Sequence, residues 1–258
     1  MPEKVFKCIL PADYFSIMLS LSPKVTLVGA GPGAPDLLTL RGAKILAEAN
    51  AVLYDALVNP ALLDLVPPSA PKIFVGKRSG NHEYTQDQIN RLIVDYAREY
   101  GHIVRLKGGD PFIFGRGYEE ILFASSNGIA TEVVPGITSA IAVPGAFNIP
   151  LTSRGINESF WVITGATTNG HISQDLALAA QSTATVIILM GMKNLPDIMD
   201  LFKKHGKHQT PVAIIQNGTR PNQQLAVGTV ETILAIVANQ NLASPAIIVV
   251  GQVVNLTF

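Results

Sequence analysis

The chain has 258 residues with 19 Lys and Arg against 19 Asp and Glu, so its formal net charge is zero, and it has one cysteine. Zero net charge argues against a nucleic-acid-binding domain, which usually carries a basic surface, and one cysteine excludes an intrachain disulfide. No apolar run approaches the roughly 20 residues that a membrane-spanning helix needs. These totals favour one large or two medium α/β domains in a reducing cytoplasm.

The first 23 residues form a mildly apolar segment that Pro11 and Asp13 interrupt. The segment lacks the small-residue cleavage site of a secretory signal peptide. We therefore expect residues 1–23 to be a loosely ordered extension that precedes the first strand.

The first half of the chain alternates apolar runs with segments of helical periodicity. The apolar runs predict strands that begin at Val25, Ala51, Lys72, Ile103 and Thr131. Thr85 and Gln88 have the spacing of a capping box, which predicts that a helix begins there and continues to about Tyr100.

The second half repeats this alternation, and it predicts strands that begin near residues 160, 184, 211 and 246. Continuous apolar strands between helices indicate the α/β class, with two α/β domains, mostly parallel sheets and a cleft between the domains. The segment Val143–Asn157 contains two prolines and two glycines, which is typical of a connection. It predicts an N-terminal domain of residues 24–150 and a C-terminal domain of residues 151–258.

A glycine-rich loop follows the first predicted strand in the segment "VTLVGAGPGAPDLL". Its glycines are Gly29, Gly31 and Gly33. A similar loop binds dinucleotides, and Asp55 ends the next strand about where such domains hold a ribose. However, Pro32 and Pro35 remove two of the N–H donors that a pyrophosphate requires, and Ala34 stands where the last glycine is expected. The loop therefore favours a ligand that lacks phosphate, and an NAD(P)-dependent oxidoreductase stays an alternative.

A second glycine-rich segment, "VRLKGGDPFIFGRGYEE", follows the fourth predicted strand. Its adjacent glycines let the backbone approach a ligand closely. Four cations lie in or near it, namely Arg98, Arg105, Lys107 and Arg116. A packed interior needs neither feature, so we expect this segment to line a binding surface for an acidic small molecule.

Taken together, these segments resemble the uroporphyrinogen-III C-methyltransferase family of the tetrapyrrole methylase superfamily. The matching stretches, in the family's order between Val25 and Val254, include "GAGPGAPDLLTLRGAKILAEANAVLYDALV", "VGKRSG", "LKGGDPFIFGRG", "EVVPGITSA", "IPLTSR", "TPVAIIQNGT" and "PAIIVVGQVV". The first glycine loop is common to the superfamily, whereas "GKR" and "LKGGDPFIFGRG" are more specific to this member. Ala34, Ser153 and Ala166 depart from the Asp, His and His that the family usually has there.

The resemblance implies that the protein methylates uroporphyrinogen III at C2 and C7 with S-adenosylmethionine, giving precorrin-2 for sirohaem or cobalamin biosynthesis. It also implies a homodimer. The cytoplasm and the lack of a nucleic-acid or membrane partner are expected from the totals given above, and the scattered histidines predict no metal site. A methylase of a later corrinoid precursor is an alternative within the superfamily, as is a methyltransferase acting on ribosomal RNA. A non-catalytic binding module for an anionic macrocycle is an alternative of another class.

Site residues carry over from the same resemblance, position by position. Asp55 is expected to be the proton acceptor and Lys77 the proton donor. The donor-binding residues implied are Pro32, Gly108, Gly109, Asp110, Ile113, Thr138, Ser139, Met190 and Gly218. The macrocycle carries eight carboxylates, for which forked cationic contacts are suited. The substrate-binding residues expected from this are Arg78, Lys107, Arg116 and Arg154.

Each of these residues also has an interpretation that needs no ligand. Asp55 alone fits a turn or cap, Asp110 before a proline fits an Asx-turn, and Thr138 fits a helix cap. Met190 alone fits a core strand. Their occurrence together and in order favours the functional interpretation.

Overall fold

The computed structural model describes residues 22–76 and 84–256, and within these ranges the chain forms ten strands and seven α-helices. The predicted N-terminal extension therefore lies, apart from residues 22–23, outside the described residues. The described chain divides into two compact units. The first unit consists of residues 22–28, 40–76, 84–107 and 116–134, and the second unit of residues 29–39, 108–115 and 135–256.

The first unit is built on a five-stranded sheet in the order β3-β2-β4-β1-β5. Its strands are β1 (Lys24–Gly29), β2 (Ala51–Tyr54), β3 (Lys72–Phe74), β4 (His102–Lys107) and β5 (Ala130–Val134). The pairs β1–β5, β2–β3 and β2–β4 are parallel, with Val52 opposite Val104 and Leu27 opposite Val133. The strands expected from the apolar runs of the first half are confirmed.

Three α-helices belong to the first unit: α1 (Leu40–Ala47), α2 (Gln86–Tyr100) and α3 (Gly117–Ser126). The predicted capping box begins α2, because the Thr85 hydroxyl accepts the Gln88 N–H at 3.3 Å and the Gln88 side chain accepts the Thr85 N–H at 2.8 Å. Ile93 and Ala97 of α2 are fully buried in the core of this unit, where such burial contributes roughly 25 cal/mol per Å² of apolar surface.

The second unit contains a five-stranded sheet in the order β6-β7-β10-β8-β9. Its strands are β6 (Phe160–Thr164), β7 (Thr185–Leu189), β8 (Pro211–Gln216), β9 (Gln224–Thr229) and β10 (Ala246–Val250). Its helices are α4 (Ser139–Ala146), α5 (Asp175–Gln181), α6 (Leu195–Lys204) and α7 (Ile233–Gln240). Ile187, Ile214 and Ile248 have no solvent exposure, so the central strands are covered on their faces.

The two sheets together fit the predicted α/β class with mostly parallel strands, although strand direction differs within the second sheet. There β6 and β7 are parallel, whereas β10 runs antiparallel to both β7 and β8, and β9 runs antiparallel to β8. The connection of residues 217–223 from β8 to β9 is too short for the crossover that a parallel pair requires. Among the described helices, none combines the length and apolar character needed to span a membrane.

Candidate active site

Three loops that follow β1, β4 and β5 meet in the second unit at a set of glycines. Gly31 and Gly109 exchange backbone hydrogen bonds of 3.2 and 2.8 Å. A Cβ on Gly29 would lie 2.5 Å from the Cα of Gly136, and a Cβ on Gly136 would lie 2.2 Å from the carbonyl oxygen of Gly109. Only glycine permits this approach. We call Gly29, Gly31, Gly109 and Gly136 the glycine junction.

Asp110 ties the glycine junction together. Its Oδ2 accepts the Gly136 N–H at 3.0 Å, and its Oδ1 accepts the Phe112 N–H at 2.8 Å. The second bond is the Asx-turn that the sequence allows, and the first reaches a different loop. The Asp110 carboxylate thus holds the shape of the junction, and Ile113, beyond the turn, is 43% exposed.

The start of α4 lies beside the glycine junction. A Cβ on Gly109 would lie 3.8 Å from the Ser139 nitrogen and 3.9 Å from the Thr138 Cα. Thr138 is the N-cap of α4, and its hydroxyl accepts the Ala140 N–H at 3.4 Å, as predicted for a helix that begins here. The first N–H groups of a helix and its positive dipole end favour an anion such as a carboxylate.

Strained backbone marks the loops that follow β7 and β8. Met190 directly after β7 has φ 57° and is 53% exposed, and Asn217 and Thr219 have φ 49° and 68°. Positive φ is a genuine outlier for a β-branched residue such as threonine, and such strain concentrates at functional sites. Between them, a Cβ on Gly218 would lie 2.3 Å from Val143 Cγ1 of α4.

Thr219 also connects its loop to the first glycine loop. Its hydroxyl accepts the Ala34 N–H at 3.0 Å, two residues after Pro32. All the predicted donor-binding residues lie in the second unit. Within it, the contacts join the segments of Pro32, Gly109, Thr138 and Gly218 into one cluster. Sequence reasoning missed Gly136 and Thr219, although the turn-forming "NGT" pattern was a signal for the latter.

Asp55, the predicted proton acceptor, lies in the first unit immediately after β2. Its Oδ1 accepts the Leu57 N–H at 3.3 Å, which is the turn contact expected without any function. Its Oδ2 lies 3.5 Å from Nη2 of Arg105, and the side chain is 26% exposed. The buried Arg105 therefore contacts one oxygen of the Asp55 carboxylate, while the carboxylate remains accessible to solvent. Lys77 and Arg78 lie outside the described residues.

Two of the cations in the second glycine-rich segment are buried rather than displayed on a surface. Arg105 is 3% exposed and Lys107 is 5% exposed. Substrate binding by Lys107 stays a prediction. The two cations are accommodated because Glu120 of α3, 1% exposed, accepts hydrogen bonds from Arg105 Nε at 3.2 Å and Lys107 Nζ at 3.0 Å. Burial, together with the Arg105 charge, lowers the pKa of Lys107.

The other two predicted substrate cations are exposed. Arg116 is the left-handed N-cap of α3, and its guanidinium donates to both carboxylate oxygens of Glu119, at 2.9 and 2.5 Å. This forked contact raises the pKa of Arg116 and lowers the pKa of Glu119. Arg154 lies exposed in the turn after α4. Within residues 22–76 and 84–256, no group of three or more His, Cys, Asp or Glu could hold a metal ion.

The chain is similar to known proteins along most of its length. Residues 24–234 match the family of tetrapyrrole (corrin/porphyrin) methylases. A uroporphyrinogen-III C-methyltransferase of Methanocaldococcus jannaschii is 44% identical over 238 residues, which cover 92% of this chain and 98% of that protein. A siroheme synthase of Chromobacterium violaceum is 44% identical over 233 residues, and this chain spans about half of it, 50%.

A solved structure with a similar fold contains a bound ligand. The uroporphyrin-III C-methyl transferase of Thermus thermophilus complexed with S-adenyl homocysteine superimposes with a TM-score of 0.78 at 36% identity, covering 90% of this chain and 99% of that one. The fold and the site thus define an α/β methylase. This chain belongs to the tetrapyrrole methylases, which confirms the family predicted from the sequence.

Proposed function

We propose that this protein transfers two methyl groups from S-adenosylmethionine to C2 and C7 of uroporphyrinogen III and so forms precorrin-2, a precursor of sirohaem and cobalamin. The observation that carries the proposal is the 44% identity to the Methanocaldococcus jannaschii enzyme, which extends over 92% of one chain and 98% of the other. The Thermus thermophilus structure, which is complexed with S-adenyl homocysteine, supports S-adenosylmethionine as the methyl donor of this protein.

The donor binds at the glycine junction. Gly108 and Gly109 let the donor approach the backbone closely, and Ile113 forms an apolar contact with it. The first N–H groups of α4, at Thr138 and Ser139, bind the donor carboxylate. Pro32, Met190 and Gly218 complete the donor-binding set. A sulfonium methyl is already electrophilic, so the main requirement is an in-line approach at about 3–3.5 Å with water excluded.

The acceptor reaction needs cations and a base. Arg78, Arg116 and Arg154 bind carboxylates of the macrocycle. Each methyl transfer breaks one S–C bond and forms one C–C bond, and one proton leaves the macrocycle. Asp55 accepts that proton and Lys77 acts as the proton donor, a contribution that is typically about 10²–10⁴-fold in rate.

The test is anaerobic incubation of the purified protein with uroporphyrinogen III and isotope-labelled S-adenosylmethionine. We expect two labelled methyl groups per macrocycle and, after oxidation, the spectrum of the dimethylated product. A reaction without uroporphyrinogen III is the control. Transfer to a later corrinoid intermediate alone would leave the family unchanged and show that the proposed substrate is wrong.

We further propose that the protein is a cytoplasmic homodimer. Its single cysteine suits a reducing compartment. Large apolar side chains on α3 support self-association, because Tyr118 is 68% exposed and Leu122 is 57% exposed.

A further inference from the structure

A buried group of charged side chains lies next to Asp55 in the first unit. Arg105 and Lys107 come from the same face of β4, and Glu120 comes from the first turn of α3. All three have exposures of 5% or less. Together with Asp55 they form a set of two cations and two carboxylates, which we call the charge network.

Glu120 is the anchor of the charge network. One oxygen, Oε1, accepts from Arg105 Nε at 3.2 Å, Lys107 Nζ at 3.0 Å and Gln86 Nε2 at 3.4 Å. Among the described residues, its Oε2 has no hydrogen-bond partner. A buried carboxylate that is not fully hydrogen-bonded opposes folding, so this arrangement is not explained by stability alone.

The guanidinium of Arg105 is held at several points, and one nitrogen faces Asp55. Nη1 donates to the carbonyl oxygens of Leu106 at 3.1 Å and Leu53 at 3.4 Å, while Nε is bound to Glu120. Nη2 lies 3.5 Å from Asp55 Oδ2. Because the planar group is fixed on its other sides, it presents Nη2 to Asp55 in a defined direction.

We propose that Arg105, anchored by Glu120, is a positioning residue that holds the Asp55 carboxylate for proton abstraction, and that Lys107 serves this network instead of binding substrate. This rests on the proposed function, in which Asp55 is the base. Two successive methylations require Asp55 to accept a proton twice.

The test is a kinetic double-mutant cycle of Arg105→Met and Asp55→Asn in the full-length protein. We expect Arg105→Met to lower kcat by at least about tenfold, since misplacing a reacting group by 1 Å can lower a rate about 10²-fold. The KM values and the affinity for S-adenosylhomocysteine should stay within about twofold. In the Asp55→Asn background, Arg105→Met should change kcat by less than about twofold.

A matched control is Arg91→Met, which removes the same charge from an exposed position on α2 and should leave kcat unchanged. Equal fractional losses of kcat in both backgrounds, or no loss at all, would overturn the proposal. If Arg105→Met does not fold, Glu120→Gln keeps the side-chain shape and is judged by the same cycle.

A parent protein that does not methylate uroporphyrinogen III would refute the proposed function without deciding the role of Arg105. Thermal unfolding of the same variants then decides it. A smaller loss of Tm on Arg105→Met in the Asp55→Asn background supports the Arg105–Asp55 contact, and equal losses overturn it.

Discussion

Asp55 has one carboxylate oxygen in a local turn with Leu57 and the other 3.5 Å from Arg105. Replacing it with asparagine keeps the size of the side chain and an acceptor for the Leu57 N–H but removes the proposed base. We predict that Asp55→Asn lowers turnover by about 10²-fold or more and leaves S-adenosylhomocysteine affinity within about twofold. Stopped assays of methyl transfer and calorimetry measure the two quantities.

Asp64→Asn is the control for that change, because Asp64 is exposed on the 3₁₀ helix Pro60–Leu65 of the same unit. It should behave like the parent protein. Near-parental turnover of a normally folded Asp55→Asn variant would leave the turn contact as the whole role of Asp55.

Asp110 holds the backbone of the glycine junction, where we propose that the donor binds. Asp110→Ala removes the acceptor for the Phe112 and Gly136 N–H groups. We expect donor affinity to fall by about 1–3 kcal/mol, the range for leaving a polar partner unsatisfied. Calorimetry with S-adenosylhomocysteine is the measurement.

Asp110→Asn gives a graded comparison, because its single amide oxygen can serve one of the two N–H groups. Its affinity should lie between those of the parent and Asp110→Ala. Unchanged donor affinity in Asp110→Ala would show that the glycine junction keeps its shape without this carboxylate.

At the scale of residues, local patterns were predictable and distant partners were not. Thr85, Thr138 and the Asp110 turn depend on groups within three residues in the chain, and their spacing indicated them. The burial of Arg105 and Lys107 depends on Glu120, which lies 15 and 13 residues later on a helix. Nothing in the strand pattern of β4 shows that a carboxylate from α3 reaches this face.

At the scale of secondary-structure elements, α4 packs closely against the loop that follows β8, through Val143 and Gly218. A Cβ on Gly218 would lie 2.3 Å from Val143 Cγ1, and valine has little rotamer freedom in a helix with which to move away. We predict that Gly218→Ala lowers stability by about 1–3 kcal/mol through overpacking and weakens donor binding as α4 shifts. Thermal unfolding and calorimetry measure these effects.

Gly145 provides the matched control within α4, because a Cβ there would have no atom within 4 Å. Gly145→Ala should therefore be neutral or slightly stabilising. Adding Val143→Ala to Gly218→Ala should restore donor binding in part. Parental affinity in Gly218→Ala would mean that α4 is not held by this contact.

The positions of all strands except β9 followed from the sequence, whereas strand directions did so only in part. The apolar runs of β7, β8 and β10 indicate burial on both faces, which central parallel and antiparallel strands share. Direction depends on the connections between strands. The short segment of residues 217–223 explains why β8 and β9 are antiparallel, although β9 itself was not predicted, and the position of β10 between β7 and β8 has no local signal.

For the whole molecule, the exposed apolar side chains of α3 lead to a prediction of oligomeric state. Tyr118 and Leu122 are 68% and 57% exposed, and covering such surface favours a dimer. We expect light scattering to give twice the chain mass of 27.5 kDa. A concentration-independent mass near 27.5 kDa would contradict the homodimer. Tyr118→Lys with Leu122→Lys should shift the protein toward the monomer.

The central position of β10 affects how the molecule assembles as it is synthesised. The first sheet has all its strands once Val134 is made, but the second sheet lacks its middle strand until Val250. These positions are 116 residues apart (250 minus 134), which at about 5–20 residues per second is roughly 6–23 s of translation. The apolar edges of β7 and β8 are both present without β10 between them only for the last 34 of these residues (250 minus 216), or roughly 2–7 s at the same rate. A nascent chain paused there is the species that chaperones should capture.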